Sequence, residues 1–164
     1  MNLSIQNIFQ RLNKFFFKRT FIKQIGWFYI STWVLTILFL PLMYMTQNLF
    51  GEDNAGPDIK YWLLIITIVP VIETFLFQYG IFKICNRIQA TKRNNGLIIL
   101  ISAFIFGLMH TYSIGYMIFG FSMGIVLAYV FYFYSHHPRK AFWTTSLIHA
   151  LRNLTALLFT FLDT

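Results

Sequence analysis

Glu73 stands in the middle of the apolar run YWLLIITIVPVIETFLFQYGIF, residues 61–82, where an acid has no packing reason to be. An ionisable side chain at bilayer mid-depth costs about 2.5–3.5 kcal/mol even on a lenient insertion scale, so such a residue marks a functional site by default. His110, His149 and Asn153 lie in two later apolar runs. A carboxylate with imidazoles can act as general acid and base or carry a proton for a solute. The same groups are adequate zinc ligands, with water in the fourth position. No His-Glu-x-x-His spacing accompanies them. His149 and Asn153 are four residues apart and so share one helical face.

The elements that must hold these residues follow from composition. Hydrophobic residues make up 57% of the chain and charged ones 11%, against about 25% charged in soluble proteins. The expected fold is all-α, a polytopic membrane helix bundle. Five apolar stretches approach the roughly 20 residues of a span: residues 25–46, 61–82, 96–113, 114–135 and 141–162. The third and fourth share a very short connection around Thr111 to Gly115, which predicts a tight helical hairpin. The break QNLFGEDNAGPD, residues 47–58, separates an accessory helix, 25–46, from a four-helix core, 61–162, that carries all four polar residues.

The net charge of +8 invites a nucleic-acid reading, but the placement of the charges argues for a lipid partner instead. Arg11, Lys14, Lys18, Arg19 and Lys23 precede the first span; Lys83, Arg87, Lys92 and Arg93 follow the second; Arg139 and Lys140 precede the fifth. Only Lys60 falls in the other loops, beside Glu52, Asp53 and Asp58. This alternation places the N-terminus inside and the C-terminus outside, the parity five spans require. Residues 1–24 form a basic amphipathic segment. In it Ile5, Ile8, Phe9, Leu12, Phe15 and Phe16 recur at helical spacing between cations, which predicts a helix lying in the lipid interface rather than a disordered tail. The first apolar run is too long for a signal-peptide core and no small-x-small cleavage site follows it. Cys85 is the single cysteine, so no intrachain disulfide exists, and a lone cysteine at a helix end reads as packing.

Two local features bear on the site. Pro70 lacks a backbone donor and is expected to kink its helix just before Glu73. Gly120, Gly124 and Ala128, at four-residue intervals, form a small-residue face for close helix packing. Counted from the inside ends at about 1.5 Å per residue, Glu73 lies ~14 Å deep, His149 ~12 Å, Asn153 ~18 Å and His110 ~21 Å. A shared pocket near mid-membrane is geometrically allowed.

The segments ETFLFQ (73–78), FGLMH (106–110) and HALRN (149–153), in this order on three membrane helices, resemble the CAAX-protease and bacteriocin-processing family of intramembrane glutamic-type proteases. Its pattern runs E-E-x-x-x-R, F-x-x-x-H and H-x-x-x-N or D. The resemblance spans about residues 61–162. It implies that Glu73, with His110, activates a water, that His149 and Asn153 donate hydrogen bonds to the oxyanion of a tetrahedral intermediate, and that Phe106 opens the second motif. It implies an endopeptidase of a bacterial cytoplasmic membrane that needs no metal and acts on a membrane-associated peptide or protein.

Thr74 and Gln78 stand where the pattern has its second glutamate and its arginine. Both charges are absent together, leaving a pair at i, i+4 that could still hydrogen-bond. Other readings of the same residues stay open. Arg152 could pair with Glu73 as a buried ion pair that only holds helices together. Glu73, His110 and His149 could hold a catalytic zinc. The chain could be a non-catalytic relative that binds a peptide as a regulator or immunity-type factor, or a small carrier with Glu73 as its proton site. His136 and His137, beside Pro138 and Arg139, read as a solvated turn.

Overall fold

The computed structural model describes residues 3–46, 61–92 and 94–162, with the side chains of 3–9 and 160 left out. The predicted break at 47–58, with its charges Glu52, Asp53 and Asp58, lies outside the described residues, as do Lys60 and Arg93. Among the described residues there are six helices and no strand. They are α1 (Leu3–Phe17), α2 (Phe21–Thr46), α3 (Trp62–Cys85), α4 (Asn95–Leu108), α5 (Ile114–Phe133) and α6 (Pro138–Leu162).

Local chemistry explains where these helices begin. Asn94 and Ser113 cap α4 and α5 by accepting the Leu97 and Tyr116 backbone N–H groups at 3.2 and 3.1 Å, which satisfies otherwise orphaned first-turn donors. Pro138 opens α6 at the one helical position where its missing N–H costs nothing. Between α1 and α2, the Gln24 side chain donates to the carbonyls of Phe16 and Arg19, both at 3.0 Å, and its oxygen accepts the Tyr134 hydroxyl. One buried amide thus joins the end of α1, the start of α2 and the end of α5.

Helix α5 is the hub. It packs on α2, α4, α6 and the middle of α3, and 56% of its most apolar stretch is buried, against 17% for α2 and α3. The α4–α5 hairpin, predicted from the short connection, is held by backbone approach. A Cβ on Gly124 would sit 2.8 Å from the Ala103 Cα, and one on Gly107 would sit 2.8 Å from the Met117 carbonyl oxygen. Phe16 of α1 is buried against Phe28 and Phe133, so the N-terminal segment is a docked helix, with Arg11, Lys14 and Lys18 exposed. Lys140 at the start of α6 lies 4.6 Å over the Phe21 ring, which brings two of the basic clusters to the same end of the bundle.

Against the five expected spans, three helices among the described residues are long and apolar enough to cross a membrane: α2, α3 and α5. Helix α4 has 14 residues, about 21 Å of rise, because the chain leaves the helix at Met109 instead of continuing to 113. Helix α6 has 25 residues but is less apolar, since Thr144, Thr145, Ser146, His149 and Arg152 sit on its buried side.

Candidate active site

Helix α3 is irregular on both sides of Glu73. Thr67, at φ −104° and ψ −64°, interrupts it between Trp62–Ile66 and Ile68–Glu73. The break therefore falls three residues before Pro70, not between Pro70 and Glu73 as expected, because proline removes the bond to the preceding turn and strains the backbone there. From Thr74 to Gly80 the helix widens into a π-helix, a rare form that recurs at functional sites. Two carbonyls of this irregular helix take side-chain donors from neighbouring helices. Asn153 Nδ2 donates to the Ile65 oxygen at 3.0 Å, and Ser102 Oγ to the Phe77 oxygen at 2.6 Å.

Directly before these wider turns, the Glu73 carboxylate faces α6. Glu73 Oε2 lies 3.4 Å from His149 Nε2; the histidine side chain is 5% exposed and the glutamate 24%. This contact joins the first and third sequence segments. Phe106 joins the second: its ring centroid lies 4.6 Å from His110 and 5.6 Å from His149, and His110 lies within electrostatic range of His149. His110 is not on a helix. It follows α4 in the turn toward α5, where its Nδ1 lies 2.7 Å from the Phe106 carbonyl oxygen. A carbonyl only accepts, so Nδ1 carries the hydrogen and the neutral ring presents Nε2 as a proton acceptor. The ring rests against Gly120, where a Cβ would come within 2.9 Å of its Cγ and Nδ1. The small-residue face of α5 therefore seats a site residue as well as packing the hairpin.

Two alternatives, a Thr74–Gln78 hydrogen bond and an Arg152–Glu73 pair, come out differently. Thr74 and Gln78 are fully buried, but neither the Thr74 hydroxyl nor the Gln78 amide has a hydrogen-bond partner, so the two do not bond to each other. Arg152 does not pair with Glu73; its guanidinium lies 3.6 Å from the centroid of the Trp33 ring, on α2. Among the described residues, no three of His, Cys, Asp and Glu gather closely enough to hold a metal ion. His136 and His137 are exposed in the turn before α6, as expected, and Cys85 is buried and free.

Two contributors escaped sequence reasoning. Tyr116, whose ring lies 5.4 Å from His110, stands within electrostatic range of both Glu73 and Arg152. Trp33 belongs to the helix expected to be accessory. Its one sequence signal is a polar stripe, Tyr29, Thr32 and Thr36, on α2; Tyr29 hydrogen-bonds Thr155 of α6 at 2.6 Å.

A family model described as Type II CAAX prenyl endopeptidase Rce1-like matches residues 55–155, more than half of the chain and the stretch that carries all three segments. The chain belongs to this Rce1-like family. The family is one of proteases, and with its apolar helices this Rce1-like chain is an integral membrane protein. No curated protein and no solved structure matches it. The Rce1-like match includes Glu73, His110, His149 and Asn153 and begins after α2, so Trp33 lies outside it.

Proposed function

We propose that the chain is an intramembrane endopeptidase that hydrolyses a peptide bond of a membrane-associated protein or peptide, using water activated by Glu73 and His110. The observation that carries this reading is the 3.4 Å contact between Glu73 and His149, with Phe106 holding His110 alongside. Water adds to the scissile carbonyl as its proton passes to the carboxylate or to His110 Nε2. The oxygen of the tetrahedral intermediate takes hydrogen bonds from α6. Asn153 has two amide hydrogens and gives one to Ile65, which leaves the other for the oxyanion. His149 provides a second donor there. Collapse of the intermediate breaks the C–N bond, and the proton held by the acid moves to the departing amine.

No resident metal takes part in this scheme. Activity in detergent is expected to survive exhaustive chelation, and recovery on adding zinc to a chelated, inactive sample would replace it with metal-assisted hydrolysis.

The uncharged pair Thr74 and Gln78, where the family pattern has Glu and Arg, favours a second reading: the same site binds a membrane peptide without cleaving it. Quantitative proteomics on membranes bearing wild type or Glu73→Gln separates the two. A precursor that accumulates only with Glu73→Gln supports hydrolysis, and His110→Ala and His149→Ala should each slow its processing by about 100-fold or more while the protein stays inserted. If no peptide depends on the acid and a partner still co-purifies, the binding reading replaces the protease.

A further inference from the structure

A groove of about 730 Å³ runs between α2 and α4. Its floor is α5, on which both helices pack, at Ile125, Val126 and Tyr129. Ile30 and Val34 of α2 form one wall and Leu97 and Leu100 of α4 the other, apart from Ile125 and its neighbours exposed on the outside of the bundle. At the end near Phe28, against which Phe16 packs, α1 adds Leu12 and Phe16. Among the described residues, none of α3 or α6 contributes to the lining, so the groove lies apart from the candidate active site.

The α1 end of the groove is polar and basic. Asn94 lines it, and its side-chain oxygen caps the Leu97 N–H, which leaves both amide hydrogens to donate. Arg19 lies 4.9 Å over the Phe15 ring, and Phe15 lies 5.7 Å from Trp27, which lines the groove. On the other wall Lys92 stands exposed two residues before Asn94. Arg11, Lys14 and Lys18 add charge along α1. Glu73, which faces His149, is the only acid among the described residues, so none of them neutralises these cations.

Size and charge together identify an occupant. The volume is that of a small-molecule site, and from Trp27 to Leu35 the lining follows α2 for about 12 Å, most of one leaflet of a hydrocarbon core about 30 Å thick. Lipid tails are as apolar as leucine, so apolar walls alone prefer no lipid over another. Selection comes from the rim, where each Lys or Arg favours an anionic headgroup by about fivefold and a guanidinium can pair with phosphate oxygens.

We propose that this groove binds one anionic phospholipid from the leaflet at the basic end of the bundle, with an acyl chain between α2 and α4 and the phosphate among Asn94, Arg19 and Lys92. This goes beyond the proteolytic reading and stands whether the active site cleaves a peptide or only binds it. The bound chain completes the packing of α2. Tyr29 and Trp33, each one residue before a wall residue, meet Thr155 and Arg152 of α6, so the lipid steadies the helix that braces α6.

The test is native mass spectrometry of the full chain released from detergent and titrated with dioleoyl phosphatidylglycerol or dioleoyl phosphatidylcholine. Wild type is expected to retain a single phosphatidylglycerol, half-saturating at a concentration at least about tenfold below phosphatidylcholine. Arg19→Gln combined with Lys92→Gln should erase that preference. Leu97→Trp, which fills the groove, should weaken phosphatidylglycerol binding by at least about tenfold, whereas Leu158→Trp, exposed on α6, should leave it unchanged. Equal affinity for the two lipids, binding that continues past one lipid without a break, or a Leu97→Trp variant that binds like wild type would each overturn the proposal. Displacement of the phospholipid by a stoichiometric S-palmitoyl peptide would assign the groove to a substrate's anchor instead, and a dimer that forms as lipid leaves would assign it to a second copy. Should Leu97→Trp fail to fold, the headgroup comparison and the double variant still decide. None of these readouts depends on cleavage, so an inactive protein that binds one phosphatidylglycerol sinks the protease reading alone.

Discussion

Asn153 reaches across from α6 and donates its side-chain amide to the backbone oxygen of Ile65, 3.0 Å away, where α3 is interrupted ahead of Pro70. The residue expected to serve an oxyanion also fastens the helix that carries the acid.

That double duty separates Asn153 from the other site residues. Replacing it with Ala removes the hydrogen bond to Ile65, a loss of about 0.5–1.5 kcal/mol, and Asp would oppose one acceptor with another. Both variants should lower the unfolding temperature in detergent, Asp more than Ala, while His149→Ala should spare it. Equal thermal stability of Asn153→Asp and wild type would remove the fastening role.

Gly120 offers a test of the seat of His110. An added methyl group would come within 2.9 Å of the ring and 3.2 Å of the Gly107 Cα, so the side chain meets the tighter clash and the backbone the milder one. Gly120→Ala should cut processing strongly with a small stability loss. Gly124→Ala meets the Ala103 backbone instead and should cost about 1–3 kcal/mol by overpacking. Similar profiles for the two variants would mean that the His110 position does not matter to activity.

Thr74 and Gln78 lie fully buried one turn apart in the π-helix. A single Thr74→Glu or Gln78→Arg places an unpaired charge there, and the double change lets the two charges satisfy each other. A double-mutant cycle on activity and stability should show favourable coupling. Additive effects would mean that the two positions do not communicate, and would strengthen the non-catalytic reading.

Topology is testable with reporters. A fusion after Thr164 should read as external and one between Ile84 and Asn95 as internal, following the basic residues. Reversed signals would change which membrane face admits substrate.

What could be read from the chain alone was whatever the bilayer penalises or helical spacing repeats. Glu73 was visible because an acid inside an apolar run needs a reason, and the shared face of His149 and Asn153 follows from a separation of four. The hairpin was visible in its short connection and small residues. Backbone register was not: nothing in TFLFQYG marks a π-helix, since the same side chains fit an α-helix and only tertiary bonds such as Ser102 to Phe77 favour the wider turn. The end of α4 at Leu108 was missed because Met109 to Tyr112 are as compatible with a helix as the residues before them. Pairing of Arg152 with Glu73 stays an open alternative in the sequence, because the chain alone does not say that α2 brings Trp33 to the arginine's side.

The π-helix after Glu73 also acts as a phase shifter. Each of its turns holds about one residue more than an α-turn, so the two halves of α3 are out of step with what a regular helix would give. Deleting one residue between Thr74 and Gly80 would let the helix regularise and turn the half before it by about 100° relative to the half after it. The carboxylate would then point away from His149, although every site residue was still present. In this protein the aim of the acid is set by a residue count as well as by residue identity, and a relative one residue shorter in this stretch would have to be judged inert or differently built even if all three motifs matched.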